Sequence, residues 1–173
     1  MTAERRERIL SLTNELGALT YGDFVLSSGE KSTYYFDGRL LSLNPEGASL
    51  LGPEFLQIAI DSGADAIGGL TLGADPIALA TAMAAHRAGE AQPLQAFVVR
   101  KEPKGHGKGK QAEGGFSSGD TVVVIDDVIT TGGSTLKAVD AVKEAGGNVV
   151  FVAVLVERGG TGRETIEAAG LPV

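Results

Sequence analysis

Val122-Val-Val-Ile-Asp-Asp-Val-Ile-Thr-Thr-Gly-Gly-Ser134 is the stretch whose reading decides how this chain folds. Four apolar β-formers run straight into two adjacent carboxylates, then a hydroxyl- and glycine-rich turn, then the helix-like spacing of residues 135–145. A near-continuous Val/Ile strand is buried on both faces, as strands are in a parallel sheet covered by helices. In such sheets ligands bind beyond the carboxyl ends of the strands. The segment therefore predicts an α/β fold with a site at 126–134. Asp126 and Asp127 can accept hydrogen bonds from vicinal hydroxyls or hold a hydrated magnesium ion. Thr130, Thr131, Gly132, Gly133 and Ser134 offer successive N–H groups and hydroxyls at a helix start, where unsatisfied amides and the helix dipole favour a phosphate. Helix capping or a glycine turn explains any one of these residues. It does not explain the set.

Outward from this segment the same rhythm repeats. Residues 64–70 read as strand, 76–88 as helix with Pro76 in its first turn, and 94–99 as strand. The strand at 121–125 is followed by a helix over 134–145, closed by Gly146-Gly147, and by a long strand over 148–156. Upstream, Ile9, Leu12 and Leu16 mark an amphipathic helix over 4–16, and helical spacing resumes from Pro45 to the stop at Ser62-Gly63. Two short extended pieces, 23–26 and 33–37, flank the turn-prone residues 27–32. Strands alternating with helices indicate a parallel sheet, so the exits at 69–75, 100–119 and 126–134 should converge on one site. No internal repeat or second domain is visible, and 1–173 reads as one domain.

Composition narrows the function. Apolar residues make up 43% and charged residues 21%, ordinary values for a globular protein. No apolar run approaches the roughly 20 residues of a membrane span, and no secretory start is evident. The absence of cysteine excludes thiolate chemistry and suits a cytoplasmic protein. A formal charge of −7 argues against a broad nucleic-acid face, yet five of the 15 basic residues crowd into 100–110. That distribution suits a small anion.

The basic segment is Arg100-Lys-Glu-Pro-Lys-Gly-His-Gly-Lys-Gly-Lys110. About twenty residues with little helix or strand pattern separate Val99 from Thr121, a length typical of a functional lid or of a disordered segment, and a lysine-rich loop taken alone is often just solvated surface. Its glycines supply mobility and its cations suit a diphosphate. Gly107-Lys108 and Gly109-Lys110 lack a following Ser or Thr, so no Walker loop is present. A third group, residues 24–37, holds Tyr34, Tyr35 and Phe36, three of the chain's nine aromatics, beside a Ser/Gly turn. Core packing is the ordinary explanation for such residues; stacking on a planar ring is the functional one. The turn at 68–76 could add amides toward a diphosphate, and Arg158, just after the last strand, could clamp a carboxylate. His86 reads as a helix-end residue.

Together these motifs resemble those of the type I phosphoribosyltransferases. Residues 122–134 are similar to the binding motif for phosphoribosyl diphosphate (PRPP), while 24–37 and 100–110 are similar to the two further motifs of the orotate phosphoribosyltransferases. The resemblance covers roughly residues 5–160 in the family's order. It implies a type I phosphoribosyltransferase fold: a mostly parallel central sheet flanked by helices, an N-terminal helix and hood over 1–40, and a mobile catalytic loop over 100–119.

The resemblance also implies roles. Asp126 and Asp127 would hold the ribose hydroxyls. The 5-phosphate would lie on residues 130–134, with Val128 and Ile129 completing the PRPP motif. Arg100, Lys101, Lys104 and His106 would engage the diphosphate, with Lys101, Lys104 and His106 catalytic. Tyr35, Phe36, Thr130 and Arg158 would contact orotate. Magnesium would be held mainly through the substrate diphosphate and water, with no direct protein metal site. A cytoplasmic homodimer sharing loop residues across its interface, and no nucleic-acid or membrane partner, would follow. The alternatives are a phosphoribosyltransferase for a purine or other base and a PRPP-sensing regulator of the same fold. Two positions depart from the family: Ser27 stands where many members have lysine, as does the turn Leu72-Gly-Ala-Asp75. Both departures shift work toward Lys104 and His106.

Overall fold

Alternation along the central strand sets the architecture. Val122 and Val124 point to one side of the sheet, Val123 and Ile125 to the other, and all four are fully buried. Each contributes on the order of 1.5–3 kcal/mol by leaving water, so this strand anchors both halves of the core. The computed structural model describes residues 2–25, 29, 31–89, 93–102 and 111–173.

In chain order the elements are α1 (Ala3–Glu15), β1 (Leu19–Val25), β2 (Lys31–Phe36), α2 (Gly38–Ser42), α3 (Pro45–Asp61), β3 (Ala66–Leu70) and α4 (Ala74–Ala88). They continue with β4 (Gln95–Val99), β5 (Ala112–Gly114), β6 (Thr121–Ile129), α5 (Gly133–Glu144), β7 (Asn148–Glu157) and α6 (Gly162–Ala168). The main sheet has the order β5-β4-β3-β6-β7; β4, β3, β6 and β7 run parallel, and only β5 is antiparallel. On one face the core gathers Ile9, Leu51, Phe55, Ile77, Val123 and Ile125, from α1, α3, α4 and β6. On the other it gathers Phe97, Val124, Val142, Val152 and Ile166, from β4, β6, α5, β7 and α6. The expected α/β sheet covered on both faces is therefore present.

Local chemistry explains the helix boundaries. Thr2 caps α1 by accepting from the Arg5 N–H at 3.3 Å. Asn44 caps α3 through the N–H groups of Glu46 and Gly47, at 2.9 and 3.1 Å, with Pro45 at the first turn.

Four differences from the sequence reading bear on the site. β6 continues past Ile125 to Ile129 because β7 pairs with it as far as Ile129↔Glu157, so Asp126 and Asp127 lie within the strand. Residues 100–119 are not all loop: Ala112–Gly114 form β5 against β4, with Ala112 buried. α2 and α6, of 5 and 7 residues, were not read, being too short to display a helical period. The hood is an antiparallel pair, β1–β2, whose first strand begins at Leu19 rather than Asp23 and shifts register between Tyr21 and Phe24.

Candidate active site

The carboxyl ends of β3, β4, β6 and β7 open into a cleft of about 490 Å³, roofed by β2 and the start of α2. All three predicted exits contribute to its wall: Thr71, Leu72 and Gly73 from the first, Lys101 from the second, and Asp126, Asp127, Val128, Thr130, Thr131 and Ser134 from the third. Tyr35, Phe36 and Arg158 complete it.

Successive strand residues point to opposite faces, so Asp126 and Asp127 meet different neighbours. Asp126 turns toward α5, where the Thr135 hydroxyl donates to Oδ2 at 2.6 Å and Ser134 Oγ lies 3.4 Å from the same oxygen. Only 7% of Asp126 is exposed. Burial pushes its carboxyl up to about 6, the Thr135 hydrogen bond opposes that rise, and the neighbouring Asp127 charge adds to it. Asp127 accepts from the Val128 N–H at 3.0 Å and is walled by two glycines. A β-carbon at Gly38 would stand 3.2 Å from the Asp127 Cβ, and one at Gly73 would collide with its carboxylate.

The turn after β6 matches its expected geometry. Gly132 is the N-cap residue of α5 at φ +79, a left-handed conformation that disfavours side chains, and no side-chain oxygen caps the helix. The first amides of α5 are therefore left for a ligand, beside the Thr131 and Ser134 side chains in the cleft wall. Val128 lines the cleft, but the Ile129 side chain sits in the core, so Ile129 can offer only backbone to a ligand. Gly132 and Gly133 likewise contribute backbone alone.

Arg158 lies opposite. Its N–H extends the β6–β7 ladder by donating to Ile129 O at 3.0 Å, and its carbonyl accepts from the Tyr34 hydroxyl at 3.1 Å. Its Nη2 donates to Thr130 Oγ1 at 3.0 Å, while its buried Nε has no partner among the described residues. A buried unpaired guanidinium N–H is costly, which makes Nε a natural seat for a carboxylate or carbonyl oxygen. Tyr35 is held against Phe24, ring centroids 5.7 Å apart, with Phe36 buried next to it.

Arg100 and Lys101 separate at the root of the basic segment. Lys101 faces the cleft; Arg100 pairs with Glu113 of β5 at 3.3 Å and lines a smaller recess that it shares with Thr71 and Lys101. Gln111 ties this root by donating to the carbonyls of Arg100 and Lys101, at 3.0 and 3.3 Å. Lys104 and His106 lie outside the described residues, as does Ser27. Sequence reasoning missed Thr135 and the Asp37–Arg39 pair. A hydroxyl one residue beyond Ser134, and an acid and a base two apart after three aromatics, were the available signals.

Comparison with known proteins agrees with this geometry. Residues 76–168 match the phosphoribosyl transferase domain family. The orotate phosphoribosyltransferase of Aquifex aeolicus is 47% identical over 150 residues, spanning 87% of this chain and 81% of its own. The chain belongs to the orotate phosphoribosyltransferase family. Among solved structures, a Mycobacterium tuberculosis orotate phosphoribosyltransferase in complex with Fe(III) dicitrate superposes with a TM-score of 0.82 at 40% identity, covering 96% of this chain and 92% of that one. The same enzyme crystallised with PRPP superposes at 0.78 and 34% identity, covering 99% and 87%. The mostly parallel sheet, the cleft at its carboxyl edge and the β1–β2 hood are thus this chain's form of the type I phosphoribosyltransferase fold.

Proposed function

We propose that this protein transfers the 5-phosphoribosyl group from PRPP to N1 of orotate, giving orotidine 5′-monophosphate and diphosphate. The observation that carries the base assignment is Arg158: a guanidinium in the cleft whose buried Nε is unpaired among the described residues, lining the same space as Tyr35 and Phe36. Orotate is a planar ring bearing a carboxylate, and it fits that combination. Relatives of similar length bear the same name.

In the reaction the C1–O bond of the ribose breaks, its electron pair leaving on the diphosphate, and N1 of orotate takes the vacated bond and sheds its proton. The residues have four tasks. Asp126 and Asp127 hold the ribose hydroxyls, and the amides and hydroxyls of 130–134 hold the 5-phosphate. Tyr35, Phe36, Thr130 and Arg158 orient the base, which converts an encounter of two substrates into an aligned attack. Arg100, Lys101, Lys104 and His106 stabilise the growing charge on the leaving group. The adjacent carboxylates Asp126 and Asp127 suit a hard, oxygen-seeking cation, so magnesium carried by the diphosphate and water would fit this wall, where it would neutralise the leaving group.

The same reading makes 1–173 one phosphoribosyltransferase domain, active in the cytoplasm as a homodimer whose basic loop reaches the partner subunit's site. The deciding experiment follows the absorbance of orotate with PRPP, with and without magnesium, alongside a panel of other bases. Magnesium- and PRPP-dependent loss of orotate is expected. Preferential use of adenine or uracil would reassign the base, and nucleic-acid binding without catalysis would favour a PRPP-sensing regulator.

A further inference from the structure

The motifs leave one cation of the cleft wall without a role: Arg39, in α2. Among the described residues, three carboxylates line the cleft (Asp37, Asp126 and Asp127) against three cations (Arg39, Lys101 and Arg158). A phosphoribosyl diphosphate brings several more negative charges, so each cation matters. Arg158 is already bonded to Thr130, and Lys101 stands at the root of the basic segment. The 71–75 turn offers no basic side chain, and its Thr71 hydroxyl is given to Asp75 Oδ2 at 2.6 Å. A side chain at Gly73 would displace Asp127, so the turn has no room for a cation there.

Arg39 stands where that turn and the acidic wall meet. Gly38, its neighbour, packs against Asp127, and the Asp127 charge acts on the Arg39 guanidinium. Asp37 grips the guanidinium side-on, Nε to Oδ1 and Nη2 to Oδ2, both at 2.8 Å. That fork uses two of five N–H donors and fixes the plane of the group. Nη1 has no acceptor among the described residues.

We propose that Arg39 binds the diphosphate of the phosphoribosyl donor, supplying from α2 the charge that the 71–75 turn lacks. This rests on the transferase reading above, and the test separates the two. Steady-state kinetics of Arg39→Ala and Arg39→Lys are compared with wild type, and magnesium diphosphate binding is measured by calorimetry without orotate. Losing a charge-assisted hydrogen bond predicts a KM for PRPP about 10- to 100-fold higher in Arg39→Ala, with diphosphate affinity falling in step. The KM for orotate and the melting temperature should stay put, since Arg39 is exposed. Arg39→Lys, which keeps charge but not the fork, should fall between. Wild-type diphosphate affinity in Arg39→Ala would overturn the proposal, as would an equal rise in both KM values. If the wild type transfers nothing to orotate but binds diphosphate through Arg39, the transferase reading falls and this one stands.

Discussion

Replacing Asp126 with asparagine should make the protein more stable and less active. The carboxyl of Asp126 moves from an ordinary 3.8 to about 6, chiefly because it is buried. A rise of about two units, at roughly 1.36 kcal/mol each, means that ionised Asp126 costs the folded state about 3 kcal/mol at neutral pH. The sign follows from proton counting. Between pH 3.8 and about 6 the folded chain holds a proton that the unfolded chain has released, so stability falls as pH rises through that window. Below it both states are protonated and the cost vanishes; above it both are ionised and the cost is complete. Asparagine removes the charge while its carbonyl can still accept from Thr135, although its amide must find a new partner. The expected net gain near pH 7.5 is about 2 kcal/mol, or roughly 4–8 °C in melting temperature for a chain of this size. Urea unfolding of both proteins from pH 4.5 to 8 measures the gap, which should stay level down to about pH 6 and shrink below it. Orotate consumption should drop in the variant at every pH. A gap that is the same at pH 4.5 and 7.5, or a variant less stable at 7.5, would refute the argument.

Other perturbations probe the remaining parts of the cleft. Arg158→Ala removes the unpaired Nε and should raise the KM for orotate about 10- to 100-fold with little change for PRPP, read by varying each substrate in turn. Gly132→Ala places a side chain at φ +79 with its Cβ 3.0 Å from Gly162 O, which should cost about 1–2 kcal/mol in unfolding experiments and weaken PRPP binding. Lys104→Ala and His106→Ala should each lower turnover by about 10²–10³ without shifting the melting curve, and near-normal turnover in both would remove the lid from the mechanism.

Much of the fold could be read from the sequence because its decisive elements are long. Residues 122–125 are all apolar and all buried, and a helix–glycine–strand succession follows them, so β6, α5 and β7 announce themselves. What escaped was short or decided elsewhere. β5 is three residues whose pairing depends on β4 running alongside. The reach of β6 to Ile129 is set by β7, since two acids at its end carry little strand preference of their own. That Asp126, Thr130, Ser134, Tyr35 and Arg158 share one cleft was legible, because each stands at or near a strand end that the α/β pattern brings together. Arg39 was not, because nothing in a row of letters says that α2 turns its guanidinium into the same cleft. The separation of Arg100 from Lys101 likewise depends on Glu113, a partner 13 residues away.

The glycines flanking Asp127 have an effect that reaches past packing. Gly38 and Gly73 arrive from unrelated parts of the chain to form a mould around one carboxylate, and neither contributes a functional group. A saturation-mutagenesis screen for activity would nonetheless score Gly73 in this chain as intolerant, alongside the acid it shapes, with Gly38 tolerating only what Asp127 and Phe36 can yield to. For this enzyme family, a map of sensitive positions is partly a cast of the empty space that the side chains need, and engineering the donor site begins with what must stay absent.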